Sequence, residues 1–343
     1  MGETYAGAGV DIEAGEAAVE RIKSHVRSTY RPEVLGDVGG FAGLFAFDNH
    51  GYRQPVLVSS TDSVGTKALV AHHAGRFDTL GIDLVAMSVD DIAATGAEPL
   101  FFLDTILVGA LDPDQIEVLV AGVAAGCRQA GCALLGGEMA ELPGVLEPGK
   151  FDLVGFAVGV IERDAVITGL AIAPGDLIVG LKSPGLRCNG YSLARRVLLD
   201  HAGLDLDGPA WVGASHSLAD ELLTPSVVYA PALVALTRGV SVHGLAHITG
   251  GGLPGNISRI LPSTCDAVIR RNSWEVPRIF TEISRRGEVA AAEMASVFNL
   301  GIGMTAVVPA EDEAMATGLL RSFDLDAVTI GEVVAGTGAV RFV

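Results

Sequence analysis

Ser59-Ser60-Thr61-Asp62-Ser63-Val64-Gly65-Thr66-Lys67 directly follows the apolar run Val56-Leu57-Val58. A carboxylate, hydroxyls, a glycine and a lysine at the end of a buried strand suit nucleotide phosphates. Asp62 can hold Mg²⁺, Thr61, Thr66 and backbone N–H groups can meet phosphate oxygens, and Lys67 supplies a positive charge. The order of parts is not that of the Walker loop, and an ordinary strand-to-helix turn has the same composition. A second acidic set, Asp83, Asp90 and Asp91, lies in GIDLVAMSVDDIAATGAEP. Residues 83 and 90 are seven apart and share a helix face. Carboxylates among Leu84, Val85, Met87 and Val89 are costly to bury unless a cation or donors meet them. They predict either a metal site shared with Asp62, or a polar stripe that faces solvent or caps a neighbouring helix.

Three further segments carry possible chemistry. Gly136-Gly137-Glu138-Met139-Ala140-Glu141 places two carboxylates after a short strand, Ala133-Leu134-Leu135, in what reads as a loop where glycines admit a ligand closely. Gly185-Leu186-Arg187-Cys188-Asn189-Gly190-Tyr191-Ser192 reads as a turn entering a helix. Arg187 is suited to bidentate phosphate contact, and Asn189 or Ser192 to capping. His247-Ile248-Thr249-Gly250-Gly251-Gly252 reads as a strand end and a close-wrapping loop. His247 is a candidate proton carrier, although a lone strand-end histidine is more often simply hydrogen-bonded.

The elements that must position these residues alternate. Helical spacing is expected over Ala14 to Thr29, Asp78 to Gly96, and Asp112-Pro113 to Gly131. Asp78 or Thr79 would cap the second of these. Strands are expected at Pro99 to Gly109, Phe151 to Ile161, Leu177 to Leu181, Val242 to Ile248 and Gly301 to Pro309. Asn256 to Leu261 reads as helical. The Gly/Pro turn TGLAIAPGD at 168–176 predicts a boundary, giving domains 1–168 and 169–343 of α/β (α+β) class.

With 343 residues, 49% hydrophobic and 19% charged, the chain is long enough for two well-buried domains. A formal net charge of −18 argues against nucleic acid and anionic membrane as partners. Cys127, Cys132, Cys188 and Cys265 form no C-x-x-C pair and fit reduced thiols. No secretory signal is visible and no apolar run approaches about 20 residues, so a cytoplasmic protein is expected.

Taken in order, the segments YAGAGVDIEAGE (5–16), RPEV and GGFAGLF (31–45), TDSVGTK (61–67), GIDLVAM (81–87), GAEPLFFLD (96–104), AGCALLGGE (130–138), NGYSLAR (189–195), HITGGGLPGN (247–256) and FNLGIGM (298–304) resemble the phosphoribosylformylglycinamidine cyclo-ligase, or AIR synthetase, family almost end to end. The resemblance implies two α/β domains, the N-terminal sheet joining its copy in a homodimeric barrel. It implies ATP and Mg²⁺, a nucleotide substrate, and phosphorylation of a formyl amide oxygen followed by imidazole ring closure.

Carried over by residue, the resemblance makes Asp62 and Asp91 Mg²⁺ ligands, with Asp90 and Glu138 nearby. Thr61, Thr66 and Lys67 would meet phosphates. Lys23, Gly39, Gly40 and Gly43 would belong to an ATP lid. His247, Gly250 and Gly251 would line the cleft, and Asn189, Gly190 and Ser192 would face substrate. Lys67, Arg187 and His247 are the candidate catalytic groups.

The chain departs from the family pattern at Ser63, Met139, Lys182, Pro184, Arg187 and Cys188, and carries Asp90 where many relatives carry Asn. Arg187 replaces an expected histidine; arginine cannot carry protons at neutral pH but can stabilise a transferring phosphoryl group. Three readings follow: a working AIR synthetase, a paralogue activating another amide or carboxylate, or a nucleotide-binding protein without turnover.

Overall fold

The computed structural model describes residues 8–40, 42–47 and 51–343. Residues 5–7 of the first motif and Phe41 of GGFAG lie outside the described residues. The first half contains α1 (Ile12–Arg27), β1 (Val34–Leu35), β2 (Leu44–Phe45), β3 (Pro55–Ser63), α2 (Lys67–Ala74), α3 (Leu80–Ala93), β4 (Glu98–Val108), α4 (Pro113–Ala130), β5 (Ala133–Glu141) and β6 (Phe151–Glu162). The second contains β7 (Leu177–Lys182), α5 (Tyr191–Arg195), α6 (Leu218–Leu222), α7 (Ala230–Gly239), β8 (Gly244–His247), α8 (Gly252–Ile257), β9 (Cys265–Ile269), α9 (Arg278–Gly287), α10 (Ala291–Val297), β10 (Ile302–Val308), α11 (Glu313–Arg321), β11 (Ala327–Ala335) and β12 (Val340–Phe342).

Local signals set the helix ends. Asp11 caps α1 by accepting from Ala14 N–H, and Asp112 caps α4 ahead of Pro113. Gly131 ends α4 in the left-handed conformation. Thr79 precedes α3 but makes no cap; its hydroxyl donates instead to Leu223 O across the molecule. The helix expected at 256–261 begins earlier, inside the glycine triplet at Gly252.

The four-stranded sheet has the order β3-β6-β4-β5, antiparallel except for the parallel β4–β5 pair. Helices α3 and α4 cover one face, and α1 packs on α4. The six-stranded sheet has the order β12-β9-β11-β7-β10-β8, with only β12–β9 parallel. One apolar core runs from the first sheet through α3 into α7 and β7, and a second lies against the other face of the larger sheet.

Three local expectations are corrected. Val56-Leu57-Val58 is not a fully buried strand, because Leu57 is 65% exposed on the face that no helix covers. The strand continues through Ser63, so Thr61-Asp62-Ser63 is ladder rather than loop. Gly136 to Glu141 is likewise strand, paired with Leu103 to Val108 of β4. Polar residues hid the first extension and glycines the second, because strand propensity yields to pairing with an already formed neighbour.

Candidate active site

The end of β3, the acidic helix α3 and the loops before α5 and α8 meet between the two halves. Ser60 Oγ donates to Asp91 Oδ2 at 3.1 Å. His247, at the end of β8, bonds Asp91 Oδ1 through Nδ1 at 2.8 Å. Thr66 and Ser192 hydroxyls lie 3.1 Å apart across the halves. A Cβ on Gly250 would sit in contact with Asn189 Nδ2. Asp62, Asp91, Thr66, Asn189, Ser192, His247 and Gly250 are therefore brought to one cleft.

The electrostatics divide two neighbouring carboxylates. Burial pushes Asp62 up, and the charge on Asp91 adds to it. Burial works on Asp91 too, but the His247 hydrogen bond, Ser60 and nearby Arg259 outweigh it and hold Asp91 below the usual range. Asp91 keeps 45% of its side chain exposed, aimed at the cleft. Sequence reading missed Ser60 and Arg259; neither has a spacing that ties it to Asp91.

Behind this surface lies a buried chain of charges. Arg187 Nη2 donates to Asp90 Oδ2 at 2.8 Å and contacts His247 Nε2 at 3.0 Å. Because arginine only donates, His247 Nε2 accepts, so its proton sits on Nδ1 and faces Asp91. Asp90 also accepts from the N–H groups of Tyr229 and Ala230. Burial pushes its carboxyl up, while Arg187, His247 and the backbone donors pull it back.

Four site expectations change as a result. Asp90 is fully buried with both oxygens engaged, so it is not available as a cation ligand. Arg187, 1% exposed and donating to Val227 O as well, holds Asp90 rather than a phosphate. His247 has both ring nitrogens engaged, by Arg187 and by Asp91, which leaves neither free toward the cleft. Lys67 is fully buried, paired with Asp83 at 2.5 Å and bonded to Thr224 O, which removes it from phosphate contact. Asp83 in turn accepts from Ser226 N and Oγ. The stripe of Asp83 and Asp90 thus faces the second half of the chain, where cations and backbone donors receive it.

Gly190 has a simple packing reason: it is left-handed, at φ +79°, and a Cβ there would strike the Phe298 ring. It also serves as the residue before α5, so neither Asn189 nor Ser192 caps that helix. Thr61 Oγ1 donates to Gly155 O.

The remaining predicted residues gather elsewhere. Lys23, Gly39, Gly40, Gly43 and Glu138 line a cavity of about 1080 Å³ between α1, the glycine-rich segment and the β4–β5 edge. Ladder pairing runs Asp62–Gly155–Asp104–Gly137 across the sheet. The cleft and the cavity thus stand at opposite edges, three strand spacings or roughly 14 Å apart.

Among the described residues no group of three or more His, Cys, Asp or Glu is arranged to hold a metal. Asp62 and Asp91 nevertheless fit a hard cation that takes one or two carboxylates and completes its shell with phosphate and water. The unfavourable burial of Asp62 beside Asp91 is the kind of environment a cation relieves.

A helix-backed four-stranded sheet joined to a six-stranded sheet, with an acidic cleft between them, defines a two-domain α/β fold shared by several solved structures. Thiamine-monophosphate kinase from Stenotrophomonas maltophilia K279a superposes with a TM-score of 0.68 over 95% of both chains at 20% identity. Hydrogenase maturation protein HypE in complex with ATP gives 0.67 over 94% of this chain and 90% of its own, at 21% identity. These likenesses speak to fold alone.

The chain belongs to the AIR synthase related family: residues 48–161 match its N-terminal domain and residues 173–343 its C-terminal domain. It is 54% identical over 338 residues, 98% of each chain, to a phosphoribosylformylglycinamidine cyclo-ligase of Myxococcus xanthus. The cyclo-ligase of Geobacter metallireducens is 49% identical over 345 residues, covering 100% of this chain and 99% of its own.

Proposed function

We propose that this chain is a C–N bond-forming cyclo-ligase that closes formylglycinamidine ribonucleotide to aminoimidazole ribonucleotide in purine biosynthesis, using ATP. The observation that carries the reading is the end-to-end identity with enzymes of that name, with no large insertion or missing segment.

The chemistry needs little covalent help from the protein. An amide oxygen is a poor leaving group, and transfer of the ATP γ-phosphoryl to it makes a good one. The amidine-side nitrogen then attacks the activated carbon, the C–O bond breaks, phosphate departs and the ring closes. Positioning and charge neutralisation carry such a transfer.

The residues divide that work. Asp62 and Asp91 would hold Mg²⁺, which when bound offsets charge on phosphate oxygens. Asp91 is fixed for this by His247 and Ser60. Thr66, Asn189, Ser192, Gly250 and Gly251 would line the substrate side of the cleft. Lys23, Gly39, Gly40, Gly43 and Glu138 would surround ATP in the cavity, with the triphosphate extending toward the cleft edge of the sheet. The uncovered face carrying Leu57 and Phe156, 65% and 39% exposed, would meet a second copy of the chain. Among the described residues no helix is long and apolar enough to cross a membrane.

The test is a coupled ADP-release assay with Mg·ATP and formylglycinamidine ribonucleotide, with aminoimidazole ribonucleotide quantified in parallel. Equal ADP and product at ordinary enzyme rates are expected. Nucleotide binding without this product would overturn the substrate assignment and leave a paralogue.

A further inference from the structure

Asp104, on β4, is a carboxyl group without a partner. It is 7% exposed, and its Oδ2 has no hydrogen bond. It lines the 1080 Å³ cavity beneath α1. Around it stand Val19, Ile22 and Val26 of α1, Ile116 and Val120 of α4, and Leu134. Gly137, its ladder partner, makes room for the carboxyl itself, because a Cβ there would strike Asp104 Oδ1. The lining mixes these apolar side chains with Glu16, Glu20, Lys23, Asp37, Thr105 and Glu138, and a mostly apolar pocket with a few polar groups suits a planar heteroaromatic ring.

Burial pushes Asp104 up to about 7. The titratable group placed against it is the Cys127 thiol of α4, which burial raises well above its ordinary range and keeps neutral. A neutral carboxylic acid offers one donor and one acceptor. Adenine presents the complementary pair, an amine that donates and a ring nitrogen that accepts.

We propose that Asp104 reads the base of the bound nucleotide, accepting from the exocyclic amine of adenine and donating to its N1. The proposal rests on the nucleotide reading given above for this cavity. Lys23, Gly39 and Gly40 line the same cavity.

Calorimetric titration of the full chain with ATP and with purine riboside 5′-triphosphate, which lacks the amine, tests it. Wild type is expected to favour ATP by about ten- to a hundredfold, since the analogue leaves a buried polar group unpaired. Asp104→Asn should keep the preference, because an amide offers the same donor and acceptor. Asp104→Leu should bind both triphosphates alike. Equal binding of both by wild type, or a preference retained by Asp104→Leu, overturns the role of Asp104 while the nucleotide reading stands. Binding of neither by wild type overturns both. Should Asp104→Leu not fold, Asp104→Ala, which also lacks the donor and acceptor, is read in its place.

Discussion

At the residue scale, the cleft presents one partly exposed carboxylate held by hydrogen bonds from its neighbours. Asp91 is aimed by His247 and Ser60, and His247 is held in one tautomer by Arg187. Asp62→Asn or Asp91→Asn should each lower Mg·ATP-dependent turnover by about a hundredfold or more with the thermal midpoint little changed. Wild-type rates in either variant would remove the metal assignment. Asp104 makes a different prediction, in stability. Its folded pKa, about 7, lies above the ordinary 3.8. The folded chain therefore keeps a proton that the unfolded chain has released, and stability falls as pH rises from about 4 to about 7. The full cost is roughly 4 kcal/mol. Asp104→Asn should thus gain on wild type at pH 8 relative to pH 5 in urea unfolding of the nucleotide-free protein. The same difference at both pH values would show that Asp104 does not titrate there.

At the element scale, α3 is the beam that joins the halves. Its Asp83 and Asp90 look like ligands in the sequence because they share a face, and they do share one. That face meets Lys67 and Arg187, not a metal. Removing one partner of a buried pair leaves an uncompensated charge. Lys67→Met should therefore cost about 3–5 kcal/mol by denaturant unfolding, and adding Asp83→Leu should recover much of it. A small loss in the single variant would mean that water reaches Asp83. The edge strand β5 has its own requirement. Its Gly136-Gly137 pair reads as a loop from composition, yet it pairs with β4 and opens the cavity wall.

At the scale of the whole molecule, the four-stranded sheet has helices on one face and none on the other. Leu57 and Phe156 stand out on that open face. A sheet with an apolar face needs a cover. Leu57→Glu combined with Phe156→Glu should convert an assembled form to monomer, read by light scattering after size exclusion. An unchanged mass would place the interface elsewhere.

The order of motifs in the sequence was enough for the family, the α/β class and the list of candidate side chains. Strand-to-helix alternation and ligand-bearing loops are local patterns, and local spacing encodes them. What the tertiary structure decided is which candidates face a ligand and which face each other. Lys67 and Arg187 carry the charge a phosphate site needs, but folding places Asp83 and Asp90 within hydrogen-bond reach and excludes water from both pairs. Asp104 carried no signal beyond its place in GAEPLFFLD. Its isolation depends on a glycine on the neighbouring strand and on apolar walls from two helices, partners that meet only once the chain has folded.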